Sequence, residues 1–251
     1  MSSVYELKSF IDGGYWNNAI DLIKSDASIC RTRYNVHFMT DKNEFSDVLP
    51  IHHACSKMDV PFEVISTMLQ IYPNCIQKVD SGMKRSCLHI AILKCLPDSI
   101  ITYLLEMFPG ATKIQDRFGR IPLHYACSNL RSFEIIKRLV MPFPQCVQAP
   151  DWKLWTSLHV AVTKNTNPEI IQFMISLCPE VVLLRTNNGA SALELMMETE
   201  NGMSMEYSVK VSKMILEKVD ELNESPQLKN FMMDTTKKPL TPVQMNPYGI
   251  V

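Results

Sequence analysis

The chain has 251 residues, 46% hydrophobic and 8% aromatic, with 25 basic and 26 acidic side chains for a formal charge of −1. That composition excludes a disordered or collagen-like chain. No apolar run reaches the roughly 18–20 residues needed to cross a bilayer. Met1-Ser2-Ser3-Val4-Tyr5-Glu6 also lacks the basic and apolar regions of a secretion signal, so a cytosolic or nuclear protein is expected.

Gly13 and Gly14 separate two apolar clusters, Val4-Tyr5-Leu7-Phe10-Ile11 and Trp16-Ala19-Ile20-Leu22-Ile23. They predict two short helices, and residues 1–46 are expected to form an N-terminal cap ending in a long connecting hairpin. From residue 47 onward a motif returns: Leu49-Pro50-Ile51-His52-His53-Ala54, Ser86-Cys87-Leu88-His89-Ile90-Ala91 and Ile121-Pro122-Leu123-His124-Tyr125-Ala126. Thr156-Ser157-Leu158-His159-Val160-Ala161 follows, then a worn copy, Ser191-Ala192-Leu193-Glu194-Leu195-Met196. Successive copies start 37, 35, 35 and 35 residues apart. A fixed period of that size means a stack of one small unit.

After each motif comes a second signature: Pro61-Phe62-Glu63-Val64-Ile65, Pro97-Asp98-Ser99-Ile100-Ile101, Ser132-Phe133-Glu134-Ile135-Ile136 and Pro168-Glu169-Ile170-Ile171. Proline suits a first helical turn, and an acid there meets the positive end of the helix dipole. Apolar residues then recur at helical spacing, and Pro73, Pro109, Pro144 and Pro179 stop the helices. Each unit therefore reads as a turn, a short helix, a longer apolar helix and an extended return. One such pair buries too little surface to offset an ordering entropy of about 1–2 kcal/mol per residue, so neighbours must cover it.

The chain resembles the ankyrin-repeat family, most closely at Asp116-Arg117-Phe118-Gly119-Arg120-Ile121-Pro122-Leu123-His124-Tyr125-Ala126-Cys127. The resemblance implies an all-α, ankyrin-type helical repeat solenoid with short β-hairpin projections. It assigns units 47–80, 81–115, 116–150 and 151–185, with 186–223 as a degenerate C-terminal cap. It also gives Gly119 a hairpin-turn role and the motif histidines a hydrogen bond within the loop. Leu154 stands where Gly119 does one repeat earlier, so that turn must adapt or be strained. Residues 224–251 are polar and contain several prolines, and are expected to form a tail.

No motif of catalysis or nucleotide binding is present, and no CxxC pair suggests zinc, so neither an enzyme nor a cofactor is expected. Cys55 and Cys127 follow motif alanines, and Cys75 and Cys146 follow repeat prolines by two residues, which marks them as packing residues. In the family, hairpin tips and the exposed side of the first helix form a concave partner-binding face. Carried over, that face includes Lys84, Arg85, Arg117, Phe118, Arg120 and Asn129 in the middle units. Trp152, Lys153, Trp155, Lys164, Asn187 and Asn188 continue it. Phe118, Trp152 and Trp155 either pack between hairpins or present a binding strip. Arg and Trp dominate interface hot spots, so the expected partner is a protein segment of acidic or aromatic-acidic character. Redox sensing by the cysteines, a regulatory role in a larger assembly and nucleic-acid binding are the alternatives. A pI near 6.6 weighs against the last.

Overall fold

The computed structural model describes residues 2–37, 45–199 and 203–224. The tail assigned to 225–251, and the middle of the long hairpin, lie outside the described residues. The chain opens with α1 (Ser2–Gly13) and α2 (Trp16–Ser25) on either side of the glycine pair. A 3-10 turn at Ala27–Arg31 leads into β1 (Tyr34–His37), which pairs antiparallel with β2 (Phe45–Val48), Tyr34 opposite Val48.

Five helical pairs follow: α3 (Pro50–Cys55) with α4 (Phe62–Ile71), α5 (Cys87–Leu93) with α6 (Asp98–Met107), and α7 (Pro122–Ser128) with α8 (Phe133–Val140). Then come α9 (Ser157–Thr163) with α10 (Pro168–Leu177), and α11 (Ala192–Glu198) with α12 (Met205–Glu224). Odd-numbered helices stack on odd and even on even down the chain. The fold is a helical-repeat solenoid with hairpin projections, as the period predicts.

The two helices of a unit bury differently. In α5 every residue from Cys87 to Ile92 is buried, because the helix has a neighbour on each side and its own partner behind. Ala54, Ala91, Ala126 and Ala161 are wholly buried at one equivalent position, where a small side chain lets successive first helices approach. The second helices bury one stripe only, such as Ile135, Ile136, Leu139 and Val140 of α8. Pro73, Pro109, Pro144 and Pro179 do more than stop these helices. Each opens a five-residue 3-10 turn whose third and fourth residues are buried, for example Cys75-Ile76 and Cys146-Val147.

The motif histidines are junction residues. In α5 the backbone N–H of Ser86 donates to His89 Nδ1 (3.3 Å), which satisfies a donor at the helix start. That leaves the proton on Nε2, which donates to the Arg120 carbonyl of the next unit (3.1 Å). His124 repeats this, with Ile121 N–H on Nδ1 and the Trp155 carbonyl on Nε2 (2.9 Å). His52 Nε2 likewise meets the Lys78 carbonyl at 3.0 Å. The bond thus extends beyond the loop that the resemblance implied. In the last unit Glu194 accepts from Ser191 N–H (2.6 Å) and Ser191 Oγ (2.8 Å). A carboxylate caps its own helix but has no N–H to send onward, and among the described residues no hairpin follows this unit.

Candidate functional site

Each hairpin is organised by a buried side chain at one repeat position. Asp116 Oδ1 accepts from the backbone N–H of Phe118 (2.8 Å) and Arg120 (2.9 Å). Asp151 Oδ1 takes Lys153 and Trp155 N–H in the same way (2.8 and 3.0 Å), and Asp80 takes Met83 and Arg85 N–H. In the last hairpin Thr186 Oγ1 takes Ala190 N–H at 3.2 Å. The turn above each contains a left-handed residue: Lys84 (φ 56), Gly119 (φ 76), Leu154 (φ 58) and Gly189 (φ 81). The Leu154 turn therefore keeps its shape and accepts the strain of a β-carbon there.

Successive hairpins are joined by a backbone ladder. Arg117 N–H donates to the Met83 carbonyl (2.7 Å), Trp152 N–H to Phe118 (2.9 Å), and Asn187 N–H to Lys153 (3.0 Å). The hairpin tips are thus fixed relative to one another, and so are the side chains they carry.

The expected site residues separate into three groups. Lys84, Arg117, Lys153, Lys164, Asn187 and Asn188 are exposed. Phe118 (42% exposed) and Trp152 (59% exposed) are open too, and they also pack edge-to-face at 6.4 Å, so for this pair packing and exposure coexist. Trp155 and Arg120 are half-buried, Trp155 lying beside the His159 ring at 6.3 Å.

Two residues depart from the expectation. Arg85 is only 6% exposed: its Nη2 donates to Tyr125 Oη (3.2 Å), its guanidinium lies 5.5 Å from that ring, and its Nε is 3.9 Å from Asp116 Oδ2. It is a structural strut between two hairpins with no surface to offer a partner. Asn129 is half-buried, and its Nδ2 donates to the Ile92 and Leu93 carbonyls (3.0 and 3.2 Å), tying α7 to the end of α5.

A cleft of about 260 Å³ opens between the third and fourth motif units. Arg120 and Trp155 line it from the hairpins, Tyr125 and Ser128 from α7, and Val160, Thr163 and Lys164 from α9 and its end. Small-molecule sites run from about 300 to 1,000 Å³, so this volume suits one side chain of a partner better than a whole metabolite. Arg120 Nε is held by Asp151 Oδ2 (3.2 Å), while the side chain stays 42% exposed. Tyr125 and Val160 were not foreseen as site residues. They sit one position after the motif histidine and are distinguishable only once the stacking is known.

The thiols Cys55, Cys87 and Cys127 are fully buried. Burial pushes the Cys127 thiol up to about 12 and raises Cys87 well above its ordinary value. Thiols of that kind are poor nucleophiles and poor sensors. Among the described residues no group of three or more His, Cys, Asp or Glu side chains could hold a metal ion, and no helix is long and apolar enough to span a membrane.

Stacked helical pairs, histidine-capped first helices and laddered hairpins define a helical-repeat class of protein. Residues 88–186 match the family description "Ankyrin repeats (3 copies)", so this part of the chain is built of ankyrin repeats. Such repeats are protein–protein interaction modules. No curated protein matches the chain.

Proposed function

We propose that this protein is a non-enzymatic adaptor, scaffold or inhibitor. It takes up an acidic or aromatic-acidic segment of a partner protein on the hairpin/first-helix face of its second to fourth motif units. The observation that carries the reading is the cleft between α7 and α9. It combines a guanidinium, an indole and an ammonium (Arg120, Trp155, Lys164), beside the exposed Phe118–Trp152 pair with Arg117 and Lys153 next to it in sequence. Aromatic anchors ringed by cations suit an acidic segment, with charge setting the on-rate and the rings much of the affinity. In this reading residues 1–46 cap the stack, 47–223 form the binding array, and the protein works as a monomer. Its eight free cysteines suit the reducing cytosol or nucleus.

The test compares wild type with a Trp152→Ala/Arg117→Ala/Lys153→Ala variant in affinity capture from native lysate at low and high salt. The variant should lose the partners that wild type retains while its far-UV circular dichroism is unchanged, and added salt should weaken wild-type capture. Undiminished capture by the variant removes the reading. Displacement of the partner by oligonucleotides would instead favour nucleic-acid binding.

A further inference from the structure

The cleft lies at a junction that lacks one residue by which the preceding junction is closed. Where the second hairpin meets the third, Arg85 lies over the Tyr125 ring, and Tyr125 Oη donates to Asp116 Oδ2 at 2.5 Å while accepting from Arg85 Nη2. A cation, a phenol and a carboxylate close that junction completely. One repeat later the cation is Arg120 and the carboxylate is Asp151, each 35 residues on from its counterpart. The residue 35 positions after Tyr125, however, is Val160, which has neither ring nor hydroxyl. Arg120 Nε then reaches directly to Asp151 Oδ2, the oxygen equivalent to the one that takes the tyrosine hydroxyl in the closed junction. Val160, where that ring would stand, lines the cleft together with Arg120, Tyr125 and Trp155.

We propose that this slot receives a tyrosine side chain from the bound partner, completing between Arg120 and Asp151 the arrangement that Tyr125 makes between Arg85 and Asp116. The proposal rests on the partner-binding reading of this face and narrows its ligand to a phenol carried by an acidic segment. The ring would lie between the Arg120 guanidinium and the Trp155 indole, a cation and an aromatic surface that both favour a π face. The hydroxyl would donate to Asp151 and accept from Arg120, replacing their direct contact. Lys164, exposed at the rim, would meet carboxylates flanking the tyrosine. A phenylalanine in the same place would break the Arg120–Asp151 contact without supplying the hydroxyl, so the slot should distinguish the two rings.

Two acetylated, amidated peptides test this: an acidic heptapeptide with one central tyrosine, and its phenylalanine twin. Titrated into wild type and followed by amide and indole nuclear magnetic resonance shifts, the tyrosine peptide should bind about tenfold tighter, as expected when a hydroxyl between charged groups is lost. The shifts should centre on Trp155, Val160 and Tyr125. Val160→Tyr fills the slot from within and should weaken the tyrosine peptide about tenfold or more while holding or raising the melting temperature. Should that variant fold poorly, Arg120→Lys serves instead: it keeps the charge, loses the planar fork and should erase the preference for tyrosine over phenylalanine. Equal binding of the two peptides, binding of neither, or full tyrosine-peptide binding by a folded Val160→Tyr protein overturns the proposal. Lysate capture that is lost in the Trp152→Ala/Arg117→Ala/Lys153→Ala variant yet survives Val160→Tyr would leave the binding face standing and remove the slot alone.

Discussion

The junctions on either side of the third hairpin use the same cation and carboxylate and reach opposite outcomes. At the first, Arg85 and Asp116 are both sealed from solvent and share Tyr125; at the second, Asp151 is sealed but Arg120 remains 42% exposed. A repeat array is built from near-identical contacts, so function can be written by leaving one contact out. What separates the proposed binding surface from the closed junction includes a tyrosine-to-valine difference on a first helix.

The comparison breaks or holds first on the carboxylates. Asp116→Ala would strand a buried guanidinium, the Tyr125 hydroxyl and two hairpin N–H groups, and should cost about 3–5 kcal/mol. Asp151→Ala also frees two hairpin N–H groups, but Arg120 can turn to water, so the loss should be about 1–3 kcal/mol. Urea denaturation of both variants measures the difference. Equal losses would mean that the two junctions are energetically alike and that Arg120 is no more available than Arg85.

What the junctions share is the histidine tie, and pH reads it. Burial lowers His52, His53, His89 and His159 to about 4, and lowers His124 as well. On the first four of these rings the unfolded chain binds protons near pH 6.5, whereas the folded chain does not until about 4. Stability is therefore complete above 6.5, falls as pH drops through that window, and has lost the whole contribution below about 4. Each ring contributes up to about 1.4 kcal/mol per pH unit within it. Cooperative loss of helicity between pH 6 and 4.5, before most carboxylates titrate, is the expected result. Helicity unchanged down to pH 4.5 would mean that the rings take up protons on Nδ1, losing the bond from the helix-start N–H, without opening the stack.

Much of this architecture was legible in the sequence, because a period near 35 residues, helix-starting prolines and a recurring motif are statements about local structure. The cap helices, the hairpin turns and the strained Leu154 turn all follow from residues read in register. The strut role of Arg85 did not, since a cation one place before a motif looks the same whether its neighbour is a tyrosine or a valine 40 residues on. Asp80, Asp116 and Asp151 also recur in register, 36 and 35 residues apart, and could have been found by the alignment that exposed the histidines. The cleft could not, because its walls belong to two units and become adjacent only through stacking.

The hairpin turn of the third unit gives a smaller, local test. Gly119 is left-handed, and a β-carbon there would lie 2.7 Å from Trp152 Cδ1 and 3.2 Å from the Trp152 backbone nitrogen. Gly119→Ala should cost about 2 kcal/mol by combining backbone strain with the displaced indole. It should also disturb the Phe118–Trp152 pair, visible as a change in tryptophan emission. A neutral Gly119→Ala would show that the exposed indole is not seated on the turn, and the binding strip would then be less preorganised than the ladder implies.

The smallest effect is expected between the helices of a unit, where Cys95, Leu130 and Asn165 share one left-handed repeat position. Asn adopts that conformation at little cost, whereas Leu130 (φ 51) carries a β-carbon against its carbonyl for about 1–2 kcal/mol. Its side chain is 58% exposed, so little burial offsets the strain. Leu130→Gly relieves it but adds about 0.5–1 kcal/mol of unfolded-state entropy, leaving a net gain of up to about 1 kcal/mol. Leu130→Asn should gain a similar amount without that entropic loss. Leu130 lies two residues after Ser128, which lines the cleft, so a stabilised Leu130→Asn protein that binds its partner unchanged would assign the strain to the scaffold alone. Weakened binding with raised stability would instead mean that the left-handed leucine helps set the position of the α7 end at the cleft.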